Sequence, residues 1–200
     1  KALLHPQQSR HITLYHSTIS IEERAALEPL RDNLMLRQGP VLVDDSSWFI
    51  GFDFSSHIIR LDSDGIEYVV YGPSNIDFPD YDYATNDGYT APDASEYPTG
   101  TVDLDTDDTY LYVLHHGRTF DVSPFRQLVD VVRGRVEAAI EEWEMTDRLL
   151  VYEKATGDFM GEVALPVRAR AVEVTEEAVY ILSIDDMPPS IIKYEKSIVN

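Results

Sequence analysis

The chain has no cysteine among its 200 residues, which excludes disulfides and thiolate metal sites. That leaves the redox compartment open, since exported proteins can also lack cysteine. No apolar run reaches about 18 residues, so no transmembrane helix is expected. Cations are scarce: 16 Lys and Arg stand against 36 Asp and Glu, giving a net charge of −20. The isoelectric point is about 4.4. A field of that sign repels phosphate backbones, so nucleic acid is not an expected partner. A solvated acidic surface is the ordinary explanation, and a cationic partner is the alternative. Lysine is rarer still, with only Lys1, Lys154, Lys193 and Lys196. The fingerprints G-x-S-x-G, H-E-x-x-H, the P-loop and the dinucleotide motif are all missing, which leaves only dispersed catalytic sites to consider. The sequence opens at Lys1 without a signal-like apolar region. Any targeting or membrane-anchoring segment is therefore expected to lie outside it.

What the chain does contain is β patterning. Its hydrophobic fraction of 44% is enough for one core, so a single domain over residues 1–200 is expected. The clearest stretch runs from Arg148 to Tyr194. Arg148 to Glu153 and Phe159 to Leu165 flank Lys154-Ala-Thr-Gly157, a short-loop hairpin. Ala169 to Val174 and Ala178 to Ser183 alternate across Thr175-Glu176-Glu177, and Ser190 to Tyr194 adds a strand. Val41 to Tyr71 has the same order, with Asp62-Ser-Asp-Gly65 as a strong hairpin turn. Thr101 to His115 forms another hairpin of the kind.

Three segments align in register: VLVDDSSWFIGF from Val41, VDLDTDDTYLYVL from Val102 and AVEVTEEAVYILS from Ala171. Their continuations align too, from His57, Leu149 and Ile191, the last stopping after one strand. A four-stranded antiparallel unit cannot bury both faces alone, so copies must stack or circle. The expected fold is all-β: a β-propeller of four-stranded blades. His11 to Tyr15 is the candidate closing strand. At roughly 40–45 residues per blade the chain would hold four to five blades. Three are legible, so an incomplete ring or an incomplete sequence is expected.

The chain resembles the six-bladed TolB-like propellers, exported or lipid-anchored bacterial proteins largely of unknown function. The resemblance rests on Thr109-Tyr-Leu-Tyr-Val-Leu-His-His-Gly-Arg118, Leu149-Leu-Val-Tyr-Glu-Lys-Ala-Thr-Gly157, Ala178-Val-Tyr-Ile-Leu and Pro188-Pro-Ser-Ile-Ile-Lys-Tyr194. These are blade motifs and imply architecture. They imply further a periplasmic or extracellular location, with a lipid anchor as one form of attachment.

Two stretches depart from the repeat. Residues 72–100 form an acidic, Tyr-rich segment read as a long loop, and long loops in compact domains are usually functional or disordered. Its carboxylates Asp77, Asp80 and Asp82, with Tyr81, Tyr83 and Tyr89, are the candidate ligand-binding residues, a combination suited to sugars, cationic groups or calcium. The second is an insertion at 119–147. Ser123-Pro124 caps an amphipathic helix whose Phe125, Val132, Val136 and Trp143 lie on one stripe, a candidate partner interface. A capping box at Ser20-Ile-Glu-Glu23 marks a further short helix to about Leu27.

Other candidates read as structural. Asp103-Leu-Asp-Thr-Asp-Asp108 lacks the Gly and final carboxylate of an EF-hand loop, so it is read as an acidic interstrand turn. His115 and His116, read at a strand end, point to opposite faces and do not suit one ion. His57 and His16 are lone. No metal site or catalytic residue is therefore assigned, and no cofactor is expected, calcium being the one ion the acidic loop would suit. The reading as a whole is a non-catalytic module of the bacterial cell envelope that binds a protein, small molecule or carbohydrate. Its rival is a metal-dependent, lactonase-like propeller hydrolase with carboxylate ligands in the central channel.

Overall fold

The computed structural model describes residues 27–28, 38–73, 96–121, 145–184 and 188–196. They form eleven strands: β1 (Val41–Asp44), β2 (Ser47–Gly51), β3 (His57–Asp62), β4 (Gly65–Tyr71), β5 (Glu96–Thr106), β6 (Tyr110–Asp121), β7 (Thr146–Glu153), β8 (Phe159–Ala169), β9 (Ala171–Val174), β10 (Ala178–Ser183) and β11 (Ser190–Glu195). They make three antiparallel sheets, each in sequential order: β1 to β4, β5 to β8, and β9 to β11. The three aligned segments of the sequence are the first hairpins of these sheets, β1–β2, β5–β6 and β9–β10.

The turns follow their residues. Asp45, between β1 and β2, has a φ of 49°, which Asp tolerates better than most residues. Asp62 Oδ1 accepts the N–H groups of Asp64 and Gly65 at 2.7 and 3.0 Å, and so closes the β3–β4 turn. Gly157, at φ 78°, lies where a Cβ would come within 2.4 Å of Val70 Cγ1. The β7–β8 turn therefore rests directly on β4 of the first sheet.

The sheets stack face against face. Phe49, Ile58 and Val70 of the first meet Leu104, Leu111, Val113, Leu150 and Tyr152 of the second. Tyr112, Leu114, Leu149 and Leu165, on the other face of that second sheet, meet Val172, Val174, Val179 and Ile181 of the third. The middle sheet is thus buried on both sides, which is why Leu111 to Leu114 and Leu149 to Tyr152 read as continuous apolar runs. Each fully buried aliphatic or aromatic side chain contributes roughly 1.5–3 kcal/mol. A further cluster of Leu27, Phe52, Ile59, Leu61, Ile66 and Val69 covers the far face of the first sheet.

The sheets do not meet evenly along their strands. The first strands approach one another: β1 and β2 contact β5, and β5 contacts β9. Two carboxylates pin this seam. Asp103 accepts the backbone N–H of Val172 at 2.9 Å, and Asp105 that of Val174 at 2.5 Å. The reading of Asp103 to Asp108 as an interstrand turn is corrected here: Asp103 and Asp105 lie within β5, and only Asp107 and Asp108 fall in the turn.

Other strand limits also differ from the sequence reading. Pairing with β6 carries β5 back to Glu96, into the segment read as loop, although Pro98 and Gly100 weaken its local pattern. His115 to Arg118 lie inside β6 and not at its end, because that strand runs to Asp121. Ala169 closes β8 by pairing with Thr146 and does not open the next strand. β8 tolerates Pro166 because it is the edge of its sheet.

Candidate functional site

The site is built where the β2–β3 turn meets β5. At Thr99 to Asp103 the pairing of β5 with β6 shifts register twice, an irregularity that bends the strand. The turn docks on this bend backbone to backbone. Gly100 N–H donates to Asp53 O at 2.8 Å and Thr101 N–H to Phe52 O at 2.9 Å. Contact this close requires glycine at position 100, where a Cβ would lie 1.7 Å from Ser55 O and 2.4 Å from Phe52 O. Opposite is Arg170, the residue between β8 and β9, whose N–H donates to Leu182 O at 2.9 Å.

Between these elements lies a cavity of about 320 Å³, lined by Asp53, Phe54, Thr99, Gly100, Thr101, Val102 and Arg170. That is the small end of the range for ligand pockets. Asp53 is half-buried, and burial is what pushes its carboxyl above the usual range. The Thr101 hydroxyl is fully buried and has no hydrogen-bond partner among the described residues. Thr99 is satisfied, its hydroxyl donating to Arg118 O at 2.9 Å.

Next to the Ser55 carbonyl lies a buried polar layer of Ser55, Ser56, His57, His115, His116 and Thr146. His57 Nδ1 is 3.1 Å from Ser55 Oγ, and His115 Nε2 is 3.5 Å from Ser56 Oγ. Thr146 donates its hydroxyl to His115 O at 2.9 Å. Burial pulls His115 down to about 4, with the charges of Arg148 and His116 pushing the same way and Glu162 opposing. The imidazole is neutral at pH 7 and only 1% exposed. A Ser–His pair sealed from solvent, at the outer limit of hydrogen-bond length, is a core contact and not an activated nucleophile.

No protein-family model matches the chain, and no curated protein does. Among solved structures, the chain is similar to BamB from Moraxella catarrhalis at 15% identity and a TM-score of 0.26. The similarity covers 80% of this chain and 51% of that one, so the chain spans about half of that protein's length. A likeness at that level carries no argument about function.

The other end of the sheets is a polar seam. Asp107 Oδ1 accepts the N–H groups of Thr109 and Tyr110 at 2.8 and 2.7 Å, and its second oxygen accepts the Tyr112 hydroxyl at 3.0 Å. Lys196, from the third sheet, pairs with the same carboxylate. Lys154 donates to Asp107 O at 2.8 Å and pairs with Asp44 of the first sheet. Burial opposes ionisation of Asp107, but Lys196, Tyr110, Thr109 and Tyr112 outweigh it and hold the carboxyl below its usual range. Two of the four lysines thus tie all three sheets together.

The candidate ligand residues Asp77, Asp80, Tyr81, Asp82, Tyr83 and Tyr89 lie outside the described residues, as do Phe125, Val132, Val136 and Trp143. So do His16, His11 to Tyr15 and most of the expected N-terminal helix. Among the described residues no three His, Cys, Asp or Glu side chains converge as metal ligands. The pocket itself was missed by sequence reasoning. Its walls come from three distant segments, and the only local signs were Gly100 and the Asp53 flanked by Phe52 and Phe54.

Proposed function

We propose that the chain is a β-propeller, or part of one, of the TolB-like kind, acting as a non-catalytic binding or scaffold module of the bacterial cell envelope. One observation carries the architecture: three successive sheets stack face to face, with the first strand of each turned toward the first strand of the next. That order supports a radial arrangement of blades, in which β1, β5 and β9 would be innermost. The pocket beside β5 then lies at the inner end of two blade junctions, where propellers leave space for a ligand. A periplasmic or extracellular location, with or without a lipid anchor, goes with the same resemblance.

Spin-label distances test the arrangement, and the absence of cysteine removes any background labelling. Cysteines replacing Val43 on β1 and Glu173 on β9 should give a short distance. Cysteines replacing Tyr71 on β4 and Ile191 on β11 should give a clearly longer one. Equal distances would mean parallel layers and would remove the propeller reading. Calcium-dependent hydrolysis of lactones by the purified chain would replace the binding role with the hydrolase.

A further inference from the structure

The sheets at the two ends of the stack expose what the sheets inside it bury. Ladder positions give Ile58, Leu149 and Ile191 one place in the repeat, opposite Gly51, Leu114 and Leu182. Ile58 and Leu149 are buried by the sheet that follows them, whereas Ile191 is 73% exposed. Phe49, Tyr112 and Tyr180 share another place, and only Tyr180 is not fully buried. The opposite faces show the same contrast. Leu104 and Val172 are buried against the preceding sheet, but Val41, at their place in β1, is 57% exposed. Toward β3 and β4 this front face of the first sheet is covered, since Ile59, Leu61, Ile66 and Val69 pack with Leu27 and Phe52. The open part is the β1 side.

A polar contact follows the same repeat. Asp105 of the second sheet accepts the N–H of Val174 in the third. Glu173 holds the place of Asp105 one sheet later and is exposed. Val43 holds the place of Val174 in the first sheet. Its N–H is turned away from β2, because the ladder bond from Gly51 to Pro40 sets the alternation along β1.

We propose that the third sheet of one copy of this chain stacks head to tail on the first sheet of a second copy. Tyr180, Leu182 and Ile191 of one copy lie against Val41 and Val43 of the other, and the Glu173 carboxylate accepts the Val43 N–H. The partner is a second copy because the chain itself carries the face that fits: two junctions inside it already join such a back to such a front. The inference goes beyond the scaffold reading and needs only the stacking of the sheets, whether radial or parallel. A head-to-tail contact either closes into a ring or runs on as an open series.

Sedimentation equilibrium of the full chain tests this at about 0.15 M salt, where repulsion between two net charges of −20 is screened beyond about 8 Å. The mean mass should rise above the 22.7 kDa of one chain between about 1 and about 100 μM, the range of a modest interface. Val41→Glu and Ile191→Glu each put a carboxylate into the contact and should weaken association by about tenfold or more. Both positions are exposed in the single chain, so neither change should lower its stability. Mixing the two variants separates this contact from any other. Each keeps the face that the other lacks, so a one-to-one pair should form and grow no further. Val43→Cys and Glu173→Cys, made in separate chains and mixed, should join through a disulfide without background from native cysteine. A single-chain mass at every concentration overturns the inference and leaves both faces to a different protein. Association untouched by either variant, or a mixture that stays single, overturns it as well. Diluting spin-labelled chain with unlabelled chain separates distances within a copy from those between copies, so the radial arrangement keeps its own test.

Discussion

Lowering the pH from 6.5 to about 4 should destabilise this protein through His115. The imidazole is 1% exposed, with its Nε2 against Ser56, and it titrates at about 4 instead of 6.5. Burial is the main cause, and Arg148 and His116 add to it. The unfolded chain therefore takes up a proton near pH 6.5 that the folded chain refuses until about pH 4. Across that window the unfolded state binds more protons, so stability falls as the pH falls. At about 1.4 kcal/mol per pH unit, the interval from 6.5 to about 4 amounts to about 3 kcal/mol. That is a large share of a typical total of roughly 5–15 kcal/mol. The assay is urea unfolding at several pH values between 7.5 and 4, on the native chain and on His115→Gln, which has no proton to take up. Every other titrating group is common to both proteins, so the difference in slope isolates His115. Parallel curves for the two proteins would refute the reasoning.

Gly100→Ala should destabilise the protein by several kcal/mol, since the new Cβ would collide with the carbonyls of Ser55 and Phe52, and backbone cannot yield cheaply. Hydrogen exchange at Gly100 and Thr101 should accelerate in the same variant, and an unchanged melting temperature would contradict the docking described. Asp105→Ala leaves the Val174 N–H without its acceptor and should cost about 1–3 kcal/mol. Exchange at Val174 should then rise while that at Leu150, in the heart of the middle sheet, stays slow. Lys196→Met removes the third sheet's tie to Asp107, which should make its carboxyl easier to protonate. Because Asp107 is held low in the folded state, its contribution is present at neutral pH and lost in acid. The variant should therefore lose stability at pH 7 and converge with the native protein in acid, below the usual carboxylate range, as followed by urea titration.

Hairpins were legible where turn chemistry and alternation coincide. Asp62-Ser-Asp-Gly65 and Lys154 to Gly157 announced their turns, and the three aligned segments became the first hairpins of three sheets. The strand from Glu96 to Gly100 was not legible, because Pro98 and Gly100 oppose a strand locally and only pairing with β6 imposes one. The acidic run at Asp103 was misplaced for a related reason. A carboxylate in a strand looks like a turn residue until a neighbouring sheet offers it the N–H groups of Val172 and Val174.

By itself the sequence determined a β-rich chain and its repeated four-strand unit. Those are properties of neighbouring residues: period-two alternation, turn residues and the opposed faces of adjacent positions. Only the tertiary structure decided which faces meet, that the middle sheet is buried on both sides, and that Asp53, Thr101 and Arg170 enclose one cavity. Those depend on contacts between residues far apart in the chain, where the position of one sheet fixes what surrounds a side chain on another.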